Sequence, residues 1–181
     1  MKLKHLISAA IVSTGALTAV PLPAQTDAAS TTAVNPLAQA DKDFVQSASM
    51  ASSTEIDAAK LATANSEDKD VKSFAHHMML DHTKRTVQLK MAAPHGVTVP
   101  KDNSDTTVLG PLKGLKGKAF DQAYISNVGV EGHKQAIAAF EKEIADGQNA
   151  KLKQAAHDAL PVIQKHYRMA QDLAAKKGMS Q

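Results

Sequence analysis

The sequence predicts an all-α fold, and two observations support this. Apolar residues recur at helical spacings of three and four in four separate stretches, and alanine, the strongest helix former, is abundant throughout. Only a few residues separate the first two stretches, and likewise the last two, whereas residues 94–117 separate the two pairs. This layout is typical of a ferritin-like four-helix bundle, in which a long crossover joins two helical hairpins. We expect the bundle to span residues 37–178.

The first hairpin is predicted from two stripes of inward residues. Helix 1 is expected from residue 37 or 41 to residue 64, and helix 2 from residue 67 to residue 93. Ser66, followed by two acidic residues, is expected to begin helix 2. The stripes are Phe44, Ala48, Ala51, Glu55, Ala58 and Ala62 in helix 1, and Val71, Phe74, Ala75, Met78, His82, Arg85 and Leu89 in helix 2.

The second hairpin is predicted over residues 118–146 and 149–177. In helix 3, Phe120 and Tyr124 lie on a different stripe from the residues after position 129, and Gly129 and Gly132 suggest a local bulge that reconciles the two. The stripes are Val130, His133, Ile137, Phe140 and Ile144 in helix 3, and Leu152, Ala155, Ala159, Ile163, His166, Ala170 and Leu173 in helix 4.

The crossover is rich in Gly, Pro, Asp and Asn. A segment this long without periodicity is unusual in a compact domain unless it runs along the other elements. We therefore expect its apolar residues to pack against the helices; these are Val108, Leu109, Leu112 and Leu115.

The N-terminus has the pattern of a secretory signal peptide, predicted over residues 1–24. Lys2 and Lys4 precede an apolar run over residues 6–20, and Ala24 follows two prolines. The run is too short for a permanent membrane anchor, which needs about 20 apolar residues. Residues 25–36 are expected to form a flexible leader. The chain is thus predicted to be an exported bacterial protein, periplasmic or secreted, without stable membrane insertion after cleavage.

Composition excludes several classes of function. The chain has no cysteine, so neither a lipid anchor nor a disulfide is expected. Its net charge of +3 falls to +1 when Lys2 and Lys4 are removed with the signal, and basic and acidic residues are interspersed. Aromatic residues make up 3% of the chain and tryptophan is absent. No nucleic-acid partner is therefore expected.

One polar residue that can bind a metal ion interrupts each inward stripe, near the middle of its helix: Glu55, His82, His133 and His166. One carboxylate and three imidazoles suit a transition-metal ion such as zinc, copper, iron or nickel. Asp81 is expected to support the neighbouring His82 as an outer hydrogen-bond acceptor, or to bind directly. Glu55 lies out of level with His82 by roughly 6–9 Å, so without helix tilt it would be a separate, hydrogen-bonded carboxylate.

Two other functions stay open. The buried histidines and Glu55 of a structural or stress-related envelope protein would form a hydrogen-bond network without metal. A metalloenzyme would leave one coordination position open for a small molecule such as a peroxide. A binding or structural role is favoured over an enzyme, since no catalytic motif is present and the Glu-x-x-His pairs of di-iron proteins are missing. A second cluster, His76 to Met79, offers soft ligands for copper, but Met78 also fits the core stripe.

Several segments resemble those of the secreted bacterial family called domain of unknown function 4142. The resemblance covers about residues 40–175 and implies an exported ferritin-like bundle without an established activity. The sequence departs from the family pattern at Gly129 and Gly132. The matching segments are Asp43–Phe44 with Glu55–Ile56, Val71 to Ala75, Met79 to Thr83, Phe120–Asp121 with Tyr124–Ile125, His133 with Phe140–Glu141, and Leu160–Pro161 with His166.

Overall fold

A computed structural model describes residues 37–179, and this part of the chain is helical without any strand. The predicted signal peptide and leader lie outside the described residues. None of the helices between residues 37 and 179 is long and apolar enough to cross a bilayer. The elements are α1 (Gln39–Asn65), α2 (Lys69–Ala92), α3 (Thr106–Leu109), a 3-10 turn (Gly110–Leu112), α4 (Gly117–Ala123), a π-helix (Tyr124–Gly132), α5 (His133–Asp146) and α6 (Ala150–Lys176).

The bundle has four long helical stretches, because α4, the π-helix and α5 follow one another without a break over residues 117–146. Helix α2 begins slightly later than predicted. The side chain of Asp68, rather than that of Ser66, caps it by accepting hydrogen bonds from the backbone N–H groups of Asp70 and Val71. Ser66 instead accepts from the backbone N–H of Asp68.

Side-chain bonds between the ends of the helices define the topology. Asp41 in the first turn of α1 accepts hydrogen bonds from the backbone N–H groups of Gln148 and Asn149, between α5 and α6. Lys177, just after α6, pairs with Asp68 at the start of α2. Helix α1 therefore runs antiparallel to α5, and α2 runs antiparallel to α6. The predicted arrangement of two hairpins joined by a long crossover is confirmed.

The crossover lies along α1, whose polar side chains hold it. The hydroxyl of Ser49 donates to the carbonyl of Pro100 at 2.7 Å, and the backbone N–H of Asp105 donates to the hydroxyl of Thr54 at 2.8 Å. The predicted apolar contacts are confirmed: Leu109 and Leu112 are buried, and Val108 and Leu115 are partly buried against the core.

The apolar core consists of two clusters, one toward each end of the bundle. One contains Val71, Met78, Phe120 and Tyr124, and the other contains Phe44, Leu89, Phe140, Leu152 and Ile163. Between the two clusters lies a polar layer, to which each long helical stretch contributes one buried residue: Glu55, His82, His133 and His166. Burial of polar groups costs free energy unless they find partners, so this layer needs an explanation.

A second buried carboxylate, Glu143, makes the stability of the fold depend on pH. Burial, followed by the charge of Asp41 and a hydrogen bond to it, raises the pKa of Glu143 to about 7. The folded state therefore retains a proton that the unfolded chain releases near its usual pKa of 4.5. Stability is then lost as the pH rises from about 4.5 through about 7.

We expect Glu143→Gln to remove the part of the pH dependence that Glu143 causes, because an amide keeps the shape of the protonated acid and can donate to Asp41. Thermal unfolding between about pH 5 and about pH 8 measures it, and the variant should be more stable by a few degrees at the upper end. Glu141→Gln, at an exposed position of the same helix, is the control. An unchanged slope in Glu143→Gln would contradict the prediction.

Candidate metal centre

The π-helix determines where His133 points. Its wider turn lets Phe120 before it, Tyr124 at its first position and His133 directly after it all point into the core. The predicted bulge is thus confirmed as a π-helix. Gly129 lies within it at a point of close approach between helices, where a side chain has little room. A Cβ atom at Gly129 would be 3.0 Å from the Cβ of Ala170 on α6.

The structure brings three of the four predicted ligands together. His82 comes from α2, His133 from the start of α5 and His166 from α6. The ring centroids are 5.7 Å apart for His82 and His133, and 5.5 Å apart for each of the other two pairs. One nitrogen of each ring lies within 4.8 Å of the corresponding nitrogens of the other two. The three rings therefore converge on one point in the polar layer.

Hydrogen bonds behind two of the rings determine which nitrogen faces the centre. Nδ1 of His133 lies 3.2 Å from the carbonyl oxygen of Val128, and Nε2 of His166 lies 2.8 Å from a carboxylate oxygen of Asp81. Because a carbonyl and a carboxylate accept, both of these ring nitrogens carry the proton. Nε2 of His133 and Nδ1 of His166 are left with free lone pairs, as metal ligands require.

The nitrogens that remain have no partner among the described residues. They are both ring nitrogens of His82, Nε2 of His133 and Nδ1 of His166. Four unpartnered nitrogens in one buried layer are unusual, since buried polar atoms are nearly always hydrogen-bonded. An ion with nitrogen ligands at about 2.0–2.1 Å would satisfy one nitrogen of each ring after a modest inward movement of the rings.

Burial also keeps the three imidazoles neutral. Desolvation, followed by the charges of the neighbouring histidines, places the pKa of His82 well below its usual value. Burial lowers the pKa of His133 to about 4. Burial lowers the pKa of His166 as well, although the hydrogen bond to Asp81 opposes that shift. A proton therefore does not compete for these lone pairs at neutral pH.

Glu55 lies outside the group of three ring nitrogens. One of its carboxylate oxygens, Oε1, is 3.4 Å from Nδ1 of His133, on the side of the ring that faces away from the centre. Burial raises the pKa of Glu55 well above its usual value. Glu55 is thus a buried carboxylate separate from the three rings, as in the predicted alternative, but none of the hydrogen bonds of the described residues holds it there.

Asp81 contacts a different histidine from the expected one. It was predicted to support His82, its neighbour in sequence, but its carboxylate bonds to His166 across the bundle. Adjacent residues on a helix point about 100° apart, so Asp81 reaches the next helix instead.

Two further residues near the centre were not predicted as site residues. Arg85 lies one turn after His82, and its charge lowers the pKa of His82 and His166. Tyr124 has a buried hydroxyl without a partner among the described residues, and its pKa is raised by burial and by Glu55. Tyr124 lies on the apolar stripe that precedes the predicted bulge, and that was the available signal.

The second His and Met cluster is divided between opposite faces of α2. Met78 is buried in the apolar core, whereas His76 and His77 are exposed. Nδ1 of His77 lies 2.9 Å from the carbonyl of Ser73. The interpretation of Met78 as a core residue, instead of a copper ligand, is supported.

Comparison with known proteins agrees with the fold. The sequence model of the family described as "Domain of unknown function (DUF4142)" matches residues 25–173. No curated protein matches the chain significantly. The fold is similar to a crystal structure described as that of the secreted protein DUF305 from Streptomyces coelicolor, with a TM-score of 0.64 and 16% identity over 78% of this chain and 94% of that one. At this identity, the likeness concerns the fold alone.

Proposed function

We propose that this chain, which belongs to the DUF4142 family of domains of unknown function, is an exported protein. In this proposal it binds one transition-metal ion through His82, His133 and His166. The observation that carries the proposal is the convergence of three buried ring nitrogens within 4.8 Å of one another. Three imidazole ligands leave a fourth position of a tetrahedral ion for water or a small molecule. Zinc, copper, nickel and iron all suit imidazole.

The arrangement favours a metal over a hydrogen-bond network of the same residues. A network would require the imidazoles to donate to and accept from one another. Instead, Nε2 of His133 and Nδ1 of His166 have no partner among the described residues, and the hydrogen bonds that these two rings make use the other nitrogen. Those outer bonds orient the lone pairs inward, which a network does not need and a metal does.

Export forms the second part of the proposal. It rests on the secretory pattern of residues 1–24. The structural neighbour, which is described as secreted, is consistent with it. We place the mature chain in the periplasm or the medium of a bacterium.

Metal analysis and thermal unfolding of the chain, purified without a histidine tag, test the proposal. We expect one ion per chain. At about 1,000 times the dissociation constant, the ion should add about 4 kcal/mol of stability and raise the unfolding midpoint by roughly 8–16 °C. Absence of bound metal, together with no thermal shift on adding zinc, copper, nickel or iron(II), would overturn it.

Asp81 provides a sharper prediction about the outer hydrogen bond. In Asp81→Asn, the amide can still lie against Nε2 of His166 but no longer holds its proton with a negative charge. We expect metal affinity to fall by about 10–100-fold with little change in the stability of the metal-free chain. Competition titration with a chelator measures the affinity, and Asp158→Asn at an exposed position of α6 is the control. Equal affinities in both variants would contradict this role.

A further inference from the structure

The outward face of α2 has an apolar stripe that the rest of the described chain leaves uncovered. Among residues 37–179, three large apolar side chains are more than half exposed, and all three belong to this helix: Leu80 (56%), Val87 (52%) and Met91 (78%). Adjacent residues of a helix point about 100° apart, so these three lie within about 40° of one another and form a stripe about 16 Å long. Single exposed apolar residues are ordinary, but three aligned on one helix are typical of an amphipathic binding face.

The free charges on this face of α2 are positive. Lys84 lies on the stripe itself, between Leu80 and Val87. Like Lys84, the other lysines of α2 are exposed and have no ion-pair partner between residues 37 and 179: Lys69, Lys72 and Lys90.

The two acids of α2 point toward α6 and are already paired there. A carboxylate oxygen of Asp70 lies 2.7 Å from Nζ of Lys176. A carboxylate oxygen of Asp81 lies 2.8 Å from Nε2 of His166. The outer face of α2 is therefore left with four free lysines beside its apolar stripe.

This combination favours an anionic bilayer over a protein partner. A second copy, packed stripe against stripe about a twofold axis, would bring Lys84 close to its own counterpart, and like charges repel. The face of a single helix is convex, so it offers no groove that would hold a partner helix. A bilayer needs no groove: its phosphates attract the lysines, and apolar side chains enter the boundary between headgroups and acyl chains.

We propose that the outward face of α2 binds the surface of an anionic phospholipid bilayer. Leu80, Val87 and Met91 enter the interface, and the lysines contact the phosphates. Lys72 and Lys90 lie about 80° to one side of the stripe, from where their long side chains extend to the headgroups. The helix lies in the plane of the membrane and does not span it. The proposal goes beyond the proposed function, since it uses no residue of the metal centre.

Cosedimentation with lipid vesicles tests the proposal on the metal-free mature chain, residues 25–181, which contains the whole described fold. Residues 1–24 are left out because an apolar signal would itself bind lipid. We expect vesicles of phosphatidylglycerol and phosphatidylcholine in equal parts to bind the chain at least about tenfold more tightly than vesicles of phosphatidylcholine alone. Added salt should weaken binding, because it screens the lysines.

One pair of double variants tests the lysines. Lys84→Gln combined with Lys90→Gln should weaken binding to the anionic vesicles by about 25-fold, at about fivefold for each lysine. Lys134→Gln combined with Lys151→Gln is the matched control. It removes the same charge from exposed positions of α5 and α6, and it should bind like the parent.

A further double variant tests the apolar side chains. Leu80→Gln combined with Met91→Gln should weaken binding by at least about tenfold, because two apolar side chains no longer leave water on binding. All substituted positions are exposed, so each variant should unfold at the temperature of the parent. Thermal unfolding without lipid checks this.

The proposal is overturned if the chain does not bind the anionic vesicles, or if it binds the neutral vesicles equally well. It is also overturned if the two lysine double variants bind equally, since total charge would then attract the lipid. Unchanged affinity after loss of Leu80 and Met91 would contradict it as well. Self-association of the lipid-free parent that disappears in this last variant would assign the stripe to a second copy and overturn the proposal.

Discussion

Replacement of His82 by alanine is expected to abolish the metal-dependent rise in thermal stability while the metal-free chain stays folded. His82 is one of three converging ligands, and neither of its ring nitrogens has another partner among the described residues. Loss of one of three ligands should weaken binding by more than the about 10–100-fold expected for an outer residue. The metal-free chain loses no hydrogen bond of that ring, so only packing contacts are lost.

Unfolding of each variant with and without added metal measures this effect. His133→Ala and His166→Ala should behave like His82→Ala toward metal, but they also leave Val128 and Asp81 without their ring partners. His157→Ala is the matched control, because His157 is exposed on α6. If His82→Ala keeps the full metal-dependent shift, or if His157→Ala loses it, the ion binds elsewhere and the proposed centre is wrong.

Replacement of Gly129 by leucine is expected to produce the largest loss of fold stability, about 3 kcal/mol or more. A Cβ atom at this position would already lie 3.0 Å from the Cβ of Ala170 and 3.6 Å from the ring of Phe74. Both neighbours belong to packed helices, so a larger side chain must push α6 away from the π-helix. The intrinsic preference of a helix for leucine over glycine, about 1 kcal/mol, is too small to compensate.

The same substitution should weaken the metal site, because Ala170 lies one turn after His166 on α6. Chemical denaturation measures the stability, and chelator competition measures the affinity. Gly110→Leu is the control, since Gly110 has φ of −53° and a Cβ atom there meets nothing within 4 Å. Equal stabilities of the two leucine variants would show that close packing at the π-helix is not needed.

The helices were predictable to within a few residues because their signals are local. Each stripe extends over about four to six turns, and a shift of two residues at the start of α2 only exchanges one capping side chain for another. The crossover was predictable by elimination, since its apolar residues had no other place to pack. Even the bulge in the third helical stretch had a local sign, in two stripes that do not align and two glycines between them.

The partners within the candidate site were harder to predict. The stripes place Glu55, His82, His133 and His166 at the waist of the bundle, but they do not say which ring meets which acid. Asp81 bonds to His166 across 85 positions of sequence, and Glu55 reaches the back of His133. Such pairings depend on how neighbouring helices are rotated and shifted along their axes relative to one another. A periodic pattern does not define this rotation or shift to better than about one turn.

The sequence pattern alone predicts the helical class, the two hairpins with their long connection, and one residue able to bind a metal in the middle of each inward stripe. These properties follow from periodicity, and periodicity is a property of each helix alone. Contacts between helices, which the pattern does not contain, make three imidazoles converge while the carboxylate stays outside them. This convergence depends on distances between different helices. The π-helix and the close approach at Gly129 adjust those distances, and no single helix encodes them.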